Sequence, residues 1–195
     1  MALSAVQAAL ARLFTDEAAR AAFLRDPQGA GRSLGLDEGE ANMLAAIAPK
    51  ALRQFAGGLK AKRALDARKA MPLTAKALGE AFGRHFRAAA QSAPAGASRV
   101  REARALAMRL AALAHERKFE PKWAGDLARY EAAFVEAAHR RFGLRLLWFG
   151  YPVGAIAASL HAGAPVSAIA PATTLGLWAR RPGGRLFHRL WSLTR

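Results

Sequence analysis

The sequence predicts an α+β protein, an N-terminal helical bundle followed by a small C-terminal antiparallel β-sheet. Three observations predict it. Apolar residues recur at spacings of three and four through about residue 142, the mark of amphipathic helices. After Gly143 these stripes give way to short aromatic-containing runs with strand propensity. Between the last two runs stands Arg181-Pro182-Gly183-Gly184, whose glycines can take the positive φ of a hairpin connection. The expected organisation is a helical scaffold over residues 1–143 and a β-rich part with a terminal hairpin over 144–195.

The chain has 195 residues, room for one ordinary domain or a helical domain with a small appendage. Its apolar fraction is 53% with only 8% aromatic residues, so much of the core must be Ala and Leu, which favour helices. Leu3, Val6, Leu10 and Leu13 give a first helix. Thr15, Asp16 and Glu17 offer a cap and early negative charge for a second, carrying Phe23 and Leu24, which stops at Asp26-Pro27. Gly29 to Gly35 reads as a loop. Asp37 with Glu40 then forms a capping box ahead of Met43, Leu44 and Ile47, and Pro49 opens a break or a new first turn before Leu52, Phe55, Ala56 and Leu59.

Further on, Pro72 and Thr74 precede a helix with Leu78, Phe82 and Phe86, and Ser92 to Ser98 is a linker by composition. Two more helices follow, one from about Val100 to Ala114 and one after Pro121 with Trp123, Leu127, Tyr130 and Phe134 in register. The strand candidates are Arg145 to Pro152, Thr173 to Arg180 and Arg185 to Trp191. From Leu146 to Ala179 there is no charged residue, which raises a membrane reading. Pro152, Gly154, His161, Gly163, Pro165 and Pro171 cut that stretch into pieces shorter than the roughly 20 apolar residues a spanning helix needs. The N-terminus has no basic flank and Arg12 interrupts its apolar run, so a cytoplasmic rather than secreted protein is expected.

Absent residue types exclude much chemistry. Without Cys there can be no disulfide, thiolate nucleophile, zinc knuckle or iron–sulfur ligation. The five histidines fall in five segments and no pair has the spacing of a metal motif. There is no phosphate loop, dinucleotide fingerprint or nucleophile elbow. No catalytic residue, metal ligand or resident cofactor is therefore expected, and the chain reads as an accessory protein rather than an enzyme.

Charge supplies the positive signal. Thirty Lys and Arg stand against fourteen Asp and Glu, a net charge of +16 that draws in polyanions or acidic peptides. An arginine-rich composition spread over solvated faces would give the same total. After Glu136, however, no acidic residue follows, whereas Arg140, Arg141, Arg145, Arg180, Arg181, Arg185, Arg189 and Arg195 do. Guanidinium groups beside strand edges suit a carboxylate-rich segment, because they make forked bonds to carboxylates while an edge offers main-chain partners. The candidate peptide-binding residues are Leu175, Leu177, Trp178 and Phe187 for side-chain pockets, with Arg180, Arg181, Arg185 and Arg189 for acidic groups.

Two stretches carry a resemblance. Phe14-Thr15-Asp16, Phe23 to Pro27, Leu34 to Asp37, Glu40 and Leu44, then Leu52, Phe55-Ala56, Leu59 and Lys62-Arg63, resemble the helical partner proteins of multinuclear non-haem iron oxidative enzymes. Leu177-Trp178 and Arg180 to Arg185 resemble the sheet-and-tail end of the same proteins. Such partners act in ribosomal peptide natural-product pathways of the methanobactin type, where partner and iron enzyme together convert precursor cysteines into oxazolone and thioamide. The resemblance implies a helical body that braces the iron enzyme, iron held by that enzyme rather than this chain, and a sheet that receives the precursor's leader as an added strand. The alternative is a basic helical nucleic-acid-binding protein, for which the charge is suitable but no helix-turn-helix, RNP or OB pattern is evident.

Overall fold

The structure, a computed structural model, describes residues 2–91, 98–116, 118–140, 142–166 and 169–193. The linker expected at Ser92 to Ser98, apart from Ser98 itself, lies outside the described residues, as do Arg141 and Arg195. Helices are followed by a three-stranded antiparallel sheet, the expected α+β class. Composition changes after Gly143, but compactness divides the chain elsewhere, into Met1–Arg63 and Ala64–Arg195.

The first unit holds α1 (Ala2–Thr15), α2 (Glu17–Arg25), α3 (Pro27–Ser33), α4 (Glu38–Ala45) and the start of α5 (Pro49–Ala70). Its core is Leu13, Phe23, Leu36, Ala41, Leu44 and Leu52. Asp16 caps α2 by accepting the Ala19 N–H at 3.0 Å, and Asp37 and Glu40 form the expected capping box of α4. The loop expected over Gly29 to Gly35 is instead mostly helix. Asp26 caps α3 by accepting the Gly29 N–H, and Pro27 sits in the first turn, where its missing N–H costs nothing. A Cβ on Gly31 would stand 2.8 Å from the Ala41 Cβ, so glycine there serves close packing of α3 on α4 rather than chain flexibility.

The second unit continues with the end of α5, then α6 (Pro72–Leu78), α7 (Ala81–Gln91), α8 (Arg99–His115) and α9 (Trp123–His139). After these come β1 (Gly143–Phe149), α10 (Val153–His161), β2 (Thr174–Arg180) and β3 (Leu186–Ser192). Where one helix was expected around Leu78, Phe82 and Phe86, there are two, because Gly79 takes φ of +53° and ends α6. The Glu131 carboxylate of α9 accepts the Leu73 and Thr74 N–H groups at 2.8 and 2.7 Å, satisfying the free donors of α6. Burial pushes that carboxyl above its ordinary range, against the pull of the Thr74 and Leu73 donors.

Helix α9 is the spine of this unit. One side meets α8 and α6 through Leu127, Ala128 and Ala132, and another meets the sheet through Tyr130, Ala133 and Phe134. The helix α10 was not foreseen. It sits between β1 and β2 with Val153, Ile156 and Leu160 buried, and a Cβ on Gly154 would come 2.9 Å from Leu190 of β3. Asp126 of α9 fixes the β1–α10 turn by accepting the Gly150 N–H at 2.7 Å while pairing with Arg129 at 3.0 Å. Among the described residues no helix is long and apolar enough to cross a membrane.

Candidate functional site

The strand order is β1-β2-β3, with β2 paired antiparallel to both neighbours. Gly183 at φ +68° follows Pro182, and the Gly184 N–H donates to the Arg181 carbonyl at 3.0 Å, closing the expected glycine turn between β2 and β3. Successive side chains of a strand point to opposite faces, so the register sorts the residues into two sets. Arg145, Trp178 and His188 lie abreast on the face toward α9, as do Leu147, Gly176 and Leu190. On the other face Leu144, Ala179 and Phe187 form one row, Leu146, Leu177 and Arg189 the next, and Trp148, Leu175 and Trp191 the third.

The inner face is packed with rings. Trp178 is 1% exposed and lies among Tyr130, Phe134, Phe149 and His188, with ring centroids 5.0 to 6.2 Å away. Room for the indole comes from Gly176, where a Cβ would stand 2.7 Å from it. Burial holds His188 below its ordinary value and Tyr130 above its own, each effect disfavouring the charged form. The outer face is open. Leu144 is 67% exposed, Leu146 55%, Trp148 57% and Phe187 53%, while Leu175, Leu177 and Trp191 are half-buried. Arg189 is the one charged residue in these three rows, and its guanidinium lies over the Trp191 ring at 5.5 Å.

The residues proposed from sequence therefore divide. Leu175, Leu177, Phe187 and Arg189 share the outer face. Trp178 does not join them, because its alternate position in β2 sends it into the ring cluster below. Arg180 is also on the inner side, donating to the Ala137 and Ala138 carbonyls at 3.3 and 2.7 Å, so this guanidinium caps the C-terminus of α9. Arg181 and Arg185 are exposed in the turn. Sequence reasoning missed Leu144, Leu146, Trp148 and Trp191, the first three of which are more than half exposed. The available signal was the aromatic-containing run Leu144 to Phe149, whose strand propensity marks a strand but, being apolar at successive positions, not which side of it faces water.

Main-chain geometry then separates the edges. The Leu193 N–H donates to the Thr173 carbonyl at 2.9 Å, which sets the phase of the β2–β3 ladder. Leu175, Leu177 and Ala179 consequently bond β3, leaving Thr174, Gly176, Trp178 and Arg180 to bond β1. On β1 the partners of that set are Phe149, Leu147, Arg145 and Gly143, so Leu144, Leu146 and Trp148 turn their N–H and C=O groups away from the sheet. The same three residues thus present open main chain and exposed apolar side chains together. On β3 the two properties fall on different residues, since Phe187, Arg189 and Trp191 bond β2.

Among the described residues no group of three or more His, Asp or Glu is placed to hold a metal ion. No family model, no curated protein and no solved structure matches this chain.

Proposed function

We propose that this chain is a non-catalytic accessory subunit that binds the leader of a ribosomally made precursor peptide and presents the peptide's core cysteines to an iron-dependent oxidative partner enzyme. The observation that carries the reading is the β1 edge, where Leu144, Leu146 and Trp148 combine unpaired main chain with exposed apolar side chains. An extended peptide added beside such a strand gains a ladder of hydrogen bonds along its length and places alternate side chains on the apolar outer face. The resemblance to the partners of multinuclear iron enzymes supplies the identity of that peptide and of the enzyme. The iron belongs to the enzyme, and the chemistry expected of the pair is oxazolone and thioamide formation of the methanobactin kind.

A nucleic-acid reading is less well supported by this surface. Single strands bind to a track of cations with interleaved aromatic platforms. The three outer rows hold Trp148, Trp191 and Phe187 but only Arg189 among cations, and the rest is Leu and Ala. The test is co-expression of the tagged full chain with its neighbouring genes. An iron-containing protein recovered with it by metal analysis, together with binding of the neighbouring short precursor peptide, is the expected result. Salt-sensitive retention of arbitrary duplex DNA with no peptide binding would replace this function with the alternative.

A further inference from the structure

On the inner side of the sheet lies a cavity of about 260 Å³ with no linear signature in the chain. Its walls include Arg104 of α8, Glu136 and Arg140 from the end of α9, Arg145 of β1, and Trp178 and Arg180 of β2. Four guanidinium groups therefore face one carboxylate. Two of the four are committed: Arg145 pairs with Glu136 Oε2, and Arg180 donates to the α9 carbonyls. Arg104 and Arg140 have no ion pair or hydrogen bond among the described residues. The cluster is crowded enough that burial, followed by the fields of Arg104 and Arg129, holds Arg145 below its ordinary value.

Two buried polar atoms of the lining residues are unmatched. The Trp178 indole N–H has no acceptor although the residue is 1% exposed, and Glu136 Oε1 has no donor although the residue is 6% exposed. Orphaned groups at such depth are uncommon in native proteins and signal a missing partner. A partner suited to this site brings an oxyanion for the two exposed, unpaired guanidinium groups at its mouth, and an N–H for the idle carboxylate oxygen. An acidic residue of a peptide carries both, in its side-chain carboxylate and its own amide. The cavity also touches Gly143, Leu144 and Arg145, the first residues of the edge strand β1.

We propose that this cavity is a carboxylate pocket, and that it takes the side chain of an Asp or Glu residue from the peptide lying along β1. The proposal rests on the peptide-binding function above and adds a selectivity to it. Outer-face contacts and main-chain bonds give affinity for extended apolar segments in general, whereas the pocket selects those with an acid at one position. Guanidinium forks suit that role because they fix the carboxylate in orientation as well as charge.

The experiment uses the full chain with two probes and one peptide array. Glutarate and inorganic phosphate are titrated while the Trp178 indole N–H resonance, assigned with Trp178→Phe, is followed by NMR. A saturable shift with glutarate is expected, weakened at least roughly tenfold in Arg104→Gln/Arg140→Gln. Arg104→Gln alone is carried as the milder variant should the double variant fold poorly. On an array of short extended peptides, the parent protein should retain members enriched in one Asp or Glu, and the double variant should retain peptides without that enrichment. No saturable shift with glutarate, or equal affinity in the folded variants, overturns the pocket. Tighter binding of phosphate than of glutarate assigns it to phosphate and overturns the carboxylate. Retained peptides with no acid preference also defeat it, while leaving the peptide-binding function standing. Glutarate binding with no peptide retained locates the failure in that function instead.

Discussion

The two faces of the C-terminal sheet come from the same three strands, and both are apolar, yet only one is covered. Below, Trp178, Phe149 and Leu190 are packed by Tyr130, Ala133 and Phe134 of α9. Above, Leu144, Leu146, Trp148 and Phe187 meet water. An antiparallel sheet ordinarily sets a polar face against solvent, so a second apolar face is the feature on which the proposed peptide binding rests. The edges show the same asymmetry, since only β1 aligns outward main chain with outward apolar side chains. The difference separates residues that build the sheet from residues that the sheet displays, and variants on the two faces should separate in the same way.

The largest effect on folding is expected at Trp178. Truncating it to Ala empties the centre of the ring cluster, where such changes cost about 3–5 kcal/mol, whereas Trp148→Ala should stay within about 1 kcal/mol because that ring is 57% exposed. Urea unfolding followed by far-UV circular dichroism measures both. Similar losses at the two positions would erase the distinction between the faces.

Next in size is the pair Arg180 and Arg185, which the sequence treats alike. Arg180 caps the last carbonyls of α9, and a charged hydrogen bond of that kind is worth about 1.5–3 kcal/mol. Arg180→Glu removes those bonds and sets a negative charge at the negative end of a helix, so a loss of about 2 kcal/mol is expected. Arg185 is exposed in the turn, and Arg185→Glu should change stability by no more than about 0.5 kcal/mol. Thermal unfolding of the two single variants decides it, and equal midpoints would remove Arg180 from its capping role.

Why the sequence revealed the strands but not their faces follows from particular residues. Burial alternates along Leu144 to Phe149 as a strand should, but the sequence does not, since Leu146 and Leu147 are the same residue on opposite sides and composition cannot say which one meets α9. Trp178 and Trp148 look equivalent until the register is known. Helix stripes were legible because polar residues fill the other face, as in α8 and α9, and the caps at Asp16 and Asp37 were legible because capping is local. The α3 helix was hidden by Gly29 and Gly31, which turn residues and tight helix packing both use. The carboxylate pocket had no linear signature at all, since Arg104, Glu136, Arg145 and Arg180 come from four separate elements.

A smaller effect is expected from pH, and part of it arises on the inner face. Burial lowers His188 below its ordinary value, and its Nε2 has no partner. As pH falls below about 6.5 the unfolded chain takes up the proton first, so stability is full above that value and is lost as pH falls through it toward the folded value. His85, lowered by burial and then by Arg109 and Arg84, acts in the same direction. His188→Phe should therefore flatten part of the decline in urea midpoint between about pH 7.5 and about pH 5.5, with the His85 share remaining. An unchanged slope would show that His188 is not the group responsible.

The smallest change in stability, and the most informative for function, is expected on the outer face. Leu146→Lys with Trp148→Lys replaces two side chains that are more than half exposed and touch none of the ring cluster. Their main-chain groups point away from β2, so the ladder that holds β1 is untouched. Lysine stems cover apolar surface nearly as well while keeping the charge in water, and the folded protein should remain within about 0.5 kcal/mol of the parent. A peptide added to β1 would meet the opposite situation, because burying either ammonium without a partner is costly. Lysine on an edge strand is also a common device by which proteins discourage strand addition. Peptide affinity should accordingly fall at least roughly tenfold, about 1.4 kcal/mol, measured by calorimetric titration of the neighbouring precursor peptide into each protein. Unchanged affinity with unchanged stability would move the peptide to the β3 edge, where the outward main chain belongs to residues such as Leu190 that pack on the inner ring cluster, so that Leu190→Lys would disturb folding. The two edges can thus be told apart by whether binding can be lost without loss of the fold.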